Sequence, residues 1–410
     1  MTRLVCTLVI VTLFLHSLAQ ADDPATVEQA RQTIGRSLPF IEREGVAWKD
    51  KRKCVTCHQV STLVWSFNEA RRQGFEVDSN KLKEWSEWSL NNAFGGNRYY
   101  KLPDQAYEKL EKEGFDAESL AKLQPLKNQE FVTESEFLDA VAKLVTPETA
   151  LTHKAVILKS AAKPGFAPGS AVGDSAALNV MLRSGAAAET ASPERSLAAL
   201  FEGLRANQQA DGIWKTSGQF LAMNRPKEES NLVNTMWIVL ALTKHEPLPE
   251  PLVQARNRAQ QAIQKAPPGV STESLMLRTL LAHSAEKPAA GTPTTGTPSG
   301  DELLEQLLKA QRADGGWAWL IDPQTSPNSD PLTTGQVLYA LGVLGRSQSD
   351  PHMQRAWSYL SRTQQADGSW SVPWLTFMVE NNKDHADGDK VFSYWGTTWS
   401  ALGLLSTLSK

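Results

Sequence analysis

Apolar residues return every three or four positions in several stretches of this chain, and each stretch is followed by one that is apolar almost all round. The first kind covers Ser196 to Asn207, Asp301 to Ala310 and Gln354 to Thr363, where Leu and aromatic residues share one stripe. That spacing predicts amphipathic helices. The second kind covers Asn234 to Leu242, Thr333 to Leu341 and Gly396 to Leu404, read as helices buried on every side. A weaker pair occupies Pro251 to Lys265 and Thr272 to Ala285. The pattern predicts an all-α protein made of outer and inner helices in alternation.

Each of the three clear outer helices ends on the same punctuation. Gln208-Gln209-Ala210-Asp211-Gly212-Ile213-Trp214 recurs as Gln311-Arg312-Ala313-Asp314-Gly315-Gly316-Trp317 and as Gln364-Gln365-Ala366-Asp367-Gly368-Ser369-Trp370. Asp-Gly is turn chemistry, because Gly accepts the left-handed conformation that closes many helices. The recurring Trp reads as a packing wedge between hairpins and not as a catalytic group. The Gln-x-x-x-Gly-x-Trp spacing resembles the repeat of squalene and terpenoid cyclases and their prenyltransferase-type relatives. The resemblance is clear over residues 190 to 410 and faint before them. It implies an α/α toroid: two concentric rings of helices, about six helical hairpins, with the inner-helix N-termini gathered at one end. Neither family chemistry transfers. The Asp-x-Asp-Asp acid of the cyclases is absent, the only adjacent aspartates being Asp22 and Asp23. The zinc site of protein prenyltransferases needs a Cys, and those of this chain have another reading.

The N-terminal part can be set in the same register. Met1 to Ala21 has a short basic start, an apolar run from Leu4 to Leu15 and a small-residue end, the parts of a secretory signal. The run is too short to span a bilayer, which takes about 20 residues, and no later segment qualifies. We therefore expect residues 1–21 to be a signal peptide and 22–410 a single toroid domain, exported to the periplasm or outside the cell. Ala25 to Glu44 reads as an outer helix, Gly45-Val46-Ala47-Trp48 as a degenerate copy of the punctuation, and Val60 to Arg71 as an inner helix. Four helical stretches, Asn80 to Leu90, Asp104 to Glu113, Glu134 to Leu144 and Pro147 to Ser160, are expected to supply the remaining hairpins. Glu286 to Gly300, rich in Pro, Thr and Gly, is expected to be a flexible insertion.

Chemistry concentrates at Cys54-Val55-Thr56-Cys57-His58. Cys-x-x-Cys-His resembles the attachment site of a c-type haem, which implies thioethers from Cys54 and Cys57 and His58 as proximal iron ligand. Attachment after export agrees with the leader, and the motif uses both cysteines left once Cys6 is removed with it. A disulfide or redox pair and a zinc site completed by distant ligands are the competing readings. For the sixth iron position the candidates are Met223 and His385, with Met378 nearby, or an open coordination position. Trp65, Trp85 and Trp88 lie close to the motif in sequence and read as core at helical spacing. Glu380, Asp384, Asp387 and Asp389 form an acidic loop, read as solvated.

The near-neutral net charge of −3 offers no basic stripe, so nucleic acid is not an expected partner. The expectation is an exported monohaem c-type cytochrome, an electron-transfer protein with an unidentified redox partner. The alternative is a toroid-superfamily enzyme or binding protein acting on a lipid-like or carbohydrate ligand, with haem as redox centre or sensor. A cavity filled by core side chains would favour the scaffold; converging carboxylates would favour the enzyme.

Overall fold

The computed structural model describes residues 26–52, 59–92, 99–162, 193–216, 223–243, 247–285, 298–377 and 388–408. The leader, the cysteine motif and the insertion between residues 286 and 297 lie outside them. Among the described residues the regular structure is helical, apart from isolated bridge pairs such as Trp317 with Asp330. The first hairpin is α1 (Val27–Arg52) and α2 (Val60–Arg72), with α3 (Ser79–Asn92) packed on α2. Five short helices follow: α4 (Asp104–Lys112), α5 (Ala117–Leu123), α6 (Glu134–Leu144), α7 (Pro147–Thr152) and α8 (Lys154–Ser160). Four more hairpins pair α9 (Pro193–Asn207) with α10 (Lys227–Thr243), α11 (Glu250–Lys265) with α12 (Thr272–Ala285), α13 (Gly300–Lys309) with α14 (Pro331–Val343), and α15 (Pro351–Thr363) with α16 (Gly388–Thr407).

The hairpins form two layers. Inner helices pack side by side in the order α10, α12, α14, α16, α2, and the outer α1 packs on α15 and α16 at the other end of the chain. The repeated punctuation makes this arrangement. Gln208 Nε2 donates to Gly212 O inside its own turn at 3.0 Å and to Ala255 O of the next outer helix at 2.8 Å. Gln311 repeats both bonds, to Gly315 O and His352 O. Gln364 bonds Gly368 O and, at 2.9 Å, Thr33 O of α1. The last repeat thus treats the first helix as its next neighbour, and the ring closes.

The other motif positions serve the same joint. Asp211, Asp314 and Asp367 each accept the amide two residues on, as turn aspartates do. Trp214, Trp317 and Trp370 are fully buried, and each indole donates to a carbonyl ten residues earlier in its own outer helix. Their own amides bond Thr235, Thr334 and Thr397 on the partner inner helix. Each Trp therefore locks an outer helix to its inner mate. Burial of so large a side chain stabilises by a few kcal/mol, and its loss costs about 3–5 kcal/mol.

Two expectations change. α1 does not end at Gly45 but continues to Arg52, so Gly45 to Trp48 are helical. A Cβ at Gly45 would stand 2.5 Å from Tyr394 Oη and 3.1 Å from Leu63; the glycine permits a close crossing, not a turn. Residues 99–162 do not extend the ring in the outer–inner pattern. Tyr100, Leu102, Leu110, Phe137, Val141 and Ile157 make a second hydrophobic core of their own. It meets α9 through Tyr100, whose hydroxyl donates to Glu202 Oε1 at 2.8 Å, and through Arg205, which bonds Glu134 at 2.9 Å. The expected helix at Pro147 to Ser160 is broken at His153, whose ring sits edge-on to Phe115 at 4.7 Å.

Gly368 sits at φ +85° against the backbone carbonyl of Arg36, whereas Gly74 at φ +78° has open space where a Cβ would go. Gly74→Ala should cost about 1–2 kcal/mol from the left-handed backbone alone. Gly368→Ala adds a clash at the ring closure and should cost about 3–5 kcal/mol. Urea unfolding of both variants checks the difference; equal costs would show that the α1–α15 joint does not bear on stability.

Candidate functional site at the start of the inner helices

Buried charge collects where the inner helices begin. Arg225 lies just ahead of α10, and Glu273 lies in the first turn of α12, the end of a helix that favours an anion. Their side chains are 1% and 3% exposed, and Nη1 stands 2.8 Å from Oε2. The other Glu273 oxygen accepts from Trp237 Nε1 at 2.9 Å and Gln336 Nε2 at 3.1 Å. One carboxylate thus ties together α10, α12 and α14. Arg225 also donates to Ser230 Oγ at 3.1 Å and lies 4.9 Å from the centre of the Trp319 ring. Glu229, in the first turn of α10, accepts from Val270 N, Ser271 N and Ser271 Oγ at 3.0, 2.9 and 2.6 Å. Beside this network Gln336 Oε1 and Trp319 Nε1 are buried without a hydrogen-bond partner.

Both carboxylates are engaged at both oxygens, so they act as anchors and do not make the unoccupied pair that acid–base hydrolysis of a glycoside requires. Among the described residues no group of three or more His, Cys, Asp or Glu could hold a metal ion. Aromatic rings of four inner helices meet one another. Trp65 of α2 meets Tyr339 of α14 at 5.3 Å and Trp399 of α16 at 5.4 Å. Trp237 of α10 meets the same two rings at 6.3 and 5.5 Å. Edge-to-face and tilted contacts of this kind stabilise by about 0.5–1.5 kcal/mol per pair beyond the area they bury.

Cys54, Cys57, His58 and His385 lie outside the described residues, as do Met378, Glu380, Asp384 and Asp387. The chain resumes at Gln59, buried and one residue ahead of α2. Met223 is 2% exposed and its Sδ lies 3.8 Å from Arg225 Nη2. A path of contacts joins it to the start of α2. Asn224 N donates to Phe377 O at 2.6 Å, Phe377 stacks on Phe392 at 5.2 Å, and Tyr394, two residues on, bonds Gln59 O at 3.2 Å. Met223 lies just ahead of α10, as Gln59 lies just ahead of α2. Asp389 accepts from Trp374 N at 2.9 Å. Trp65 is one of the aromatic rings that meet between the inner helices, Trp85 packs edge-on to Phe67 at 5.4 Å and Trp88 packs against the same core. The reading of sequence passed over Arg225, Glu273 and Gln336. The signal was there: charged or amide side chains at the heads of otherwise apolar helices.

No protein-family model matches this chain, and no curated protein matches it. Among solved structures, a type II terpene cyclase from Scytonema, solved with geranylgeranyl dihydroxybenzoate, aligns at 12% identity and TM-score 0.43, covering 93% of this chain and 98% of that one. A protein from Actinoplanes aligns at 15% identity and TM-score 0.34, covering 66% and 88%. A polysaccharide lyase aligns at 14% and 0.35, covering 93% and 97%. At these values the likenesses add nothing to what the helix packing establishes by itself: the fold is an α/α toroid.

Truncating either member of the buried pair strands a charge. Arg225→Met or Glu273→Met alone should cost about 3–5 kcal/mol, and the two together should recover part of that; the double-mutant cycle by urea unfolding reads the coupling. A second prediction concerns Asp330, which caps α14 by accepting from Thr333 N and Oγ1, both at 2.7 Å. Burial pushes its carboxyl up to about 7, against those hydrogen bonds. The native state then keeps a proton that the unfolded chain releases near pH 4. That contribution to stability is full below about pH 4 and is lost as pH rises through about 7. The melting temperature should fall between pH 5 and 8 more in the wild type than in Asp330→Asn, which keeps the cap. Parallel profiles would place the titration elsewhere.

Proposed function

We propose that this chain is an exported carrier of one covalently bound c-type haem, on an α/α-toroid scaffold, that passes electrons to a redox partner. Cys54-Val55-Thr56-Cys57-His58 immediately ahead of α2 carries this reading. The donor set fits the group: two thiols separated by two residues for the porphyrin edge, and an imidazole next to the second for the iron. Cys54 and Cys57 would hold the porphyrin and His58 the iron; when bound, haem supplies one-electron exchange. Met223, just ahead of α10, and His385 are the proposed sixth ligands. The aromatic rings that meet between α2, α10, α14 and α16 support a scaffold.

A second reading is a toroid enzyme or binding protein for a lipid-like or carbohydrate ligand. The buried, unpartnered Gln336 Oε1 and Trp319 Nε1 beside Glu273 favour it, since buried polar groups ordinarily find a partner.

The test is a pyridine haemochrome spectrum of the full chain, exported in a host that matures c-type haem, beside Cys54→Ala/Cys57→Ala. We expect a c-type spectrum that survives denaturation in the wild type and is lost in the double variant. A colourless wild type, with a control cytochrome matured in the same cells, would leave the second reading.

A further inference from the structure

Residues 99–162 are built as an inserted unit. Their entry and exit lie side by side: Lys101 N donates to Ala162 O at 3.2 Å, and Ala162 N donates back to Lys101 O at 2.9 Å. Tyr100 and Phe131 exchange a second reciprocal pair at 2.9 and 3.0 Å. A segment whose ends meet can be set into a host fold without spreading the host apart. Its core is also its own, with Leu102, Leu110, Phe137, Val141 and Ile157 buried together. Tyr100 belongs to that core through its ring, which stacks on Phe137 at 6.0 Å.

The hold on the ring is of another kind. Tyr99 and Val132 pack half-buried against the main core, and beside them the grip is polar and centred on Arg205 of α9. Arg205 Nη2 stands 2.7 Å from Glu202 Oε1, 2.9 Å from Glu134 Oε2 and 3.2 Å from Tyr100 Oη. Its Nε donates to Glu202 Oε2 at 2.9 Å, and the Tyr100 hydroxyl donates to Glu202 Oε1 at 2.8 Å. Burial, with the Glu202 carboxylate beside it, holds the Tyr100 phenol above its ordinary pKa, so it stays a donor. One guanidinium thus joins a carboxylate of the ring to a carboxylate of the inserted unit. Without it the two anions would face each other, and Glu202, only 7% exposed, would have no cation. Tyr99, Tyr100, Val132 and Glu134 all lie on or beside the Tyr100–Phe131 bridge, so this contact runs along one edge of the unit.

We infer that residues 99–162 form a module that leaves and rejoins the ring as a folded body, with the Tyr100–Glu202–Arg205–Glu134 network as its latch. The inference does not depend on what the ring carries. Polar groups parted in opening regain water, so release costs far less than unfolding the core of the module.

The experiment is hydroxyl-radical footprinting of the full chain, read by mass spectrometry at Tyr100 and Val132 on the docking edge and at Leu110 and Phe137 inside the module. Arg205→Met removes the charge and keeps most of the side-chain length. We expect labelling at Tyr100 and Val132 to rise about tenfold, the population shift that loss of one charge-assisted hydrogen bond gives, with Leu110 and Phe137 at wild-type level. Glu134→Gln keeps the shape and should give a smaller rise at the same two residues. Lys159→Met breaks the 2.8 Å pair with Glu113 inside the module and should move none of the four. Unchanged labelling at Tyr100 and Val132 in a folded Arg205→Met overturns the latch, as does an equal rise in Lys159→Met. A rise at Leu110 and Phe137 equal to that at Tyr100 would show the module unfolding in place, which overturns its release as a folded body. Should Arg205→Met fail to fold, Glu134→Gln decides by the same readings.

Discussion

Three joints of the outer ring depend on a glutamine side chain that serves two backbones at once. An outer helix ending in solvent would leave carbonyls unsatisfied and its neighbour unplaced. The amide of Gln208, Gln311 or Gln364 donates one hydrogen to its own turn and the second to the next outer helix. The glycine of the turn removes the side chain that would keep that neighbour away. Angle and spacing between hairpins are thereby set locally, and repetition of one joint curves the array. Because the third copy meets α1, the first and last hairpins become neighbours, as Gln73 bonding Leu408 O also shows.

Ring closure has consequences for the interior. Five inner helices converge with their N-termini at one end, and their partial positive charges converge too. Glu229 and Glu273 answer that field, and Arg225 answers Glu273 in turn. Farther along the inner helices Trp65, Trp237, Tyr339 and Trp399 meet ring to ring. The inner-helix end is polar, buried and hydrogen-bonded.

The helical content and the outer–inner alternation were legible from apolar spacing, and the repeated joint from its literal recurrence. The cysteine motif stands out in sequence because its residues are contiguous, and it lies outside the described residues. The network around Glu273 was not legible, since its members are separated by up to 111 positions from Arg225 to Gln336 and their meeting is a product of three helices in register.

Local sequence determined which segments are helices and where the three strong repeats turn, because each of these needs only neighbours within about ten residues. Tertiary structure decided the rest. Whether Gly45 ends a helix or admits a tyrosine depends on Tyr394, far away in the chain. Whether residues 99–162 extend the ring or pack on themselves depends on which apolar faces are complementary, and every amphipathic helix offers such a face. Burial of Arg225 with Glu273 depends on the ring having closed, for only then are both removed from water while within 2.8 Å of each other.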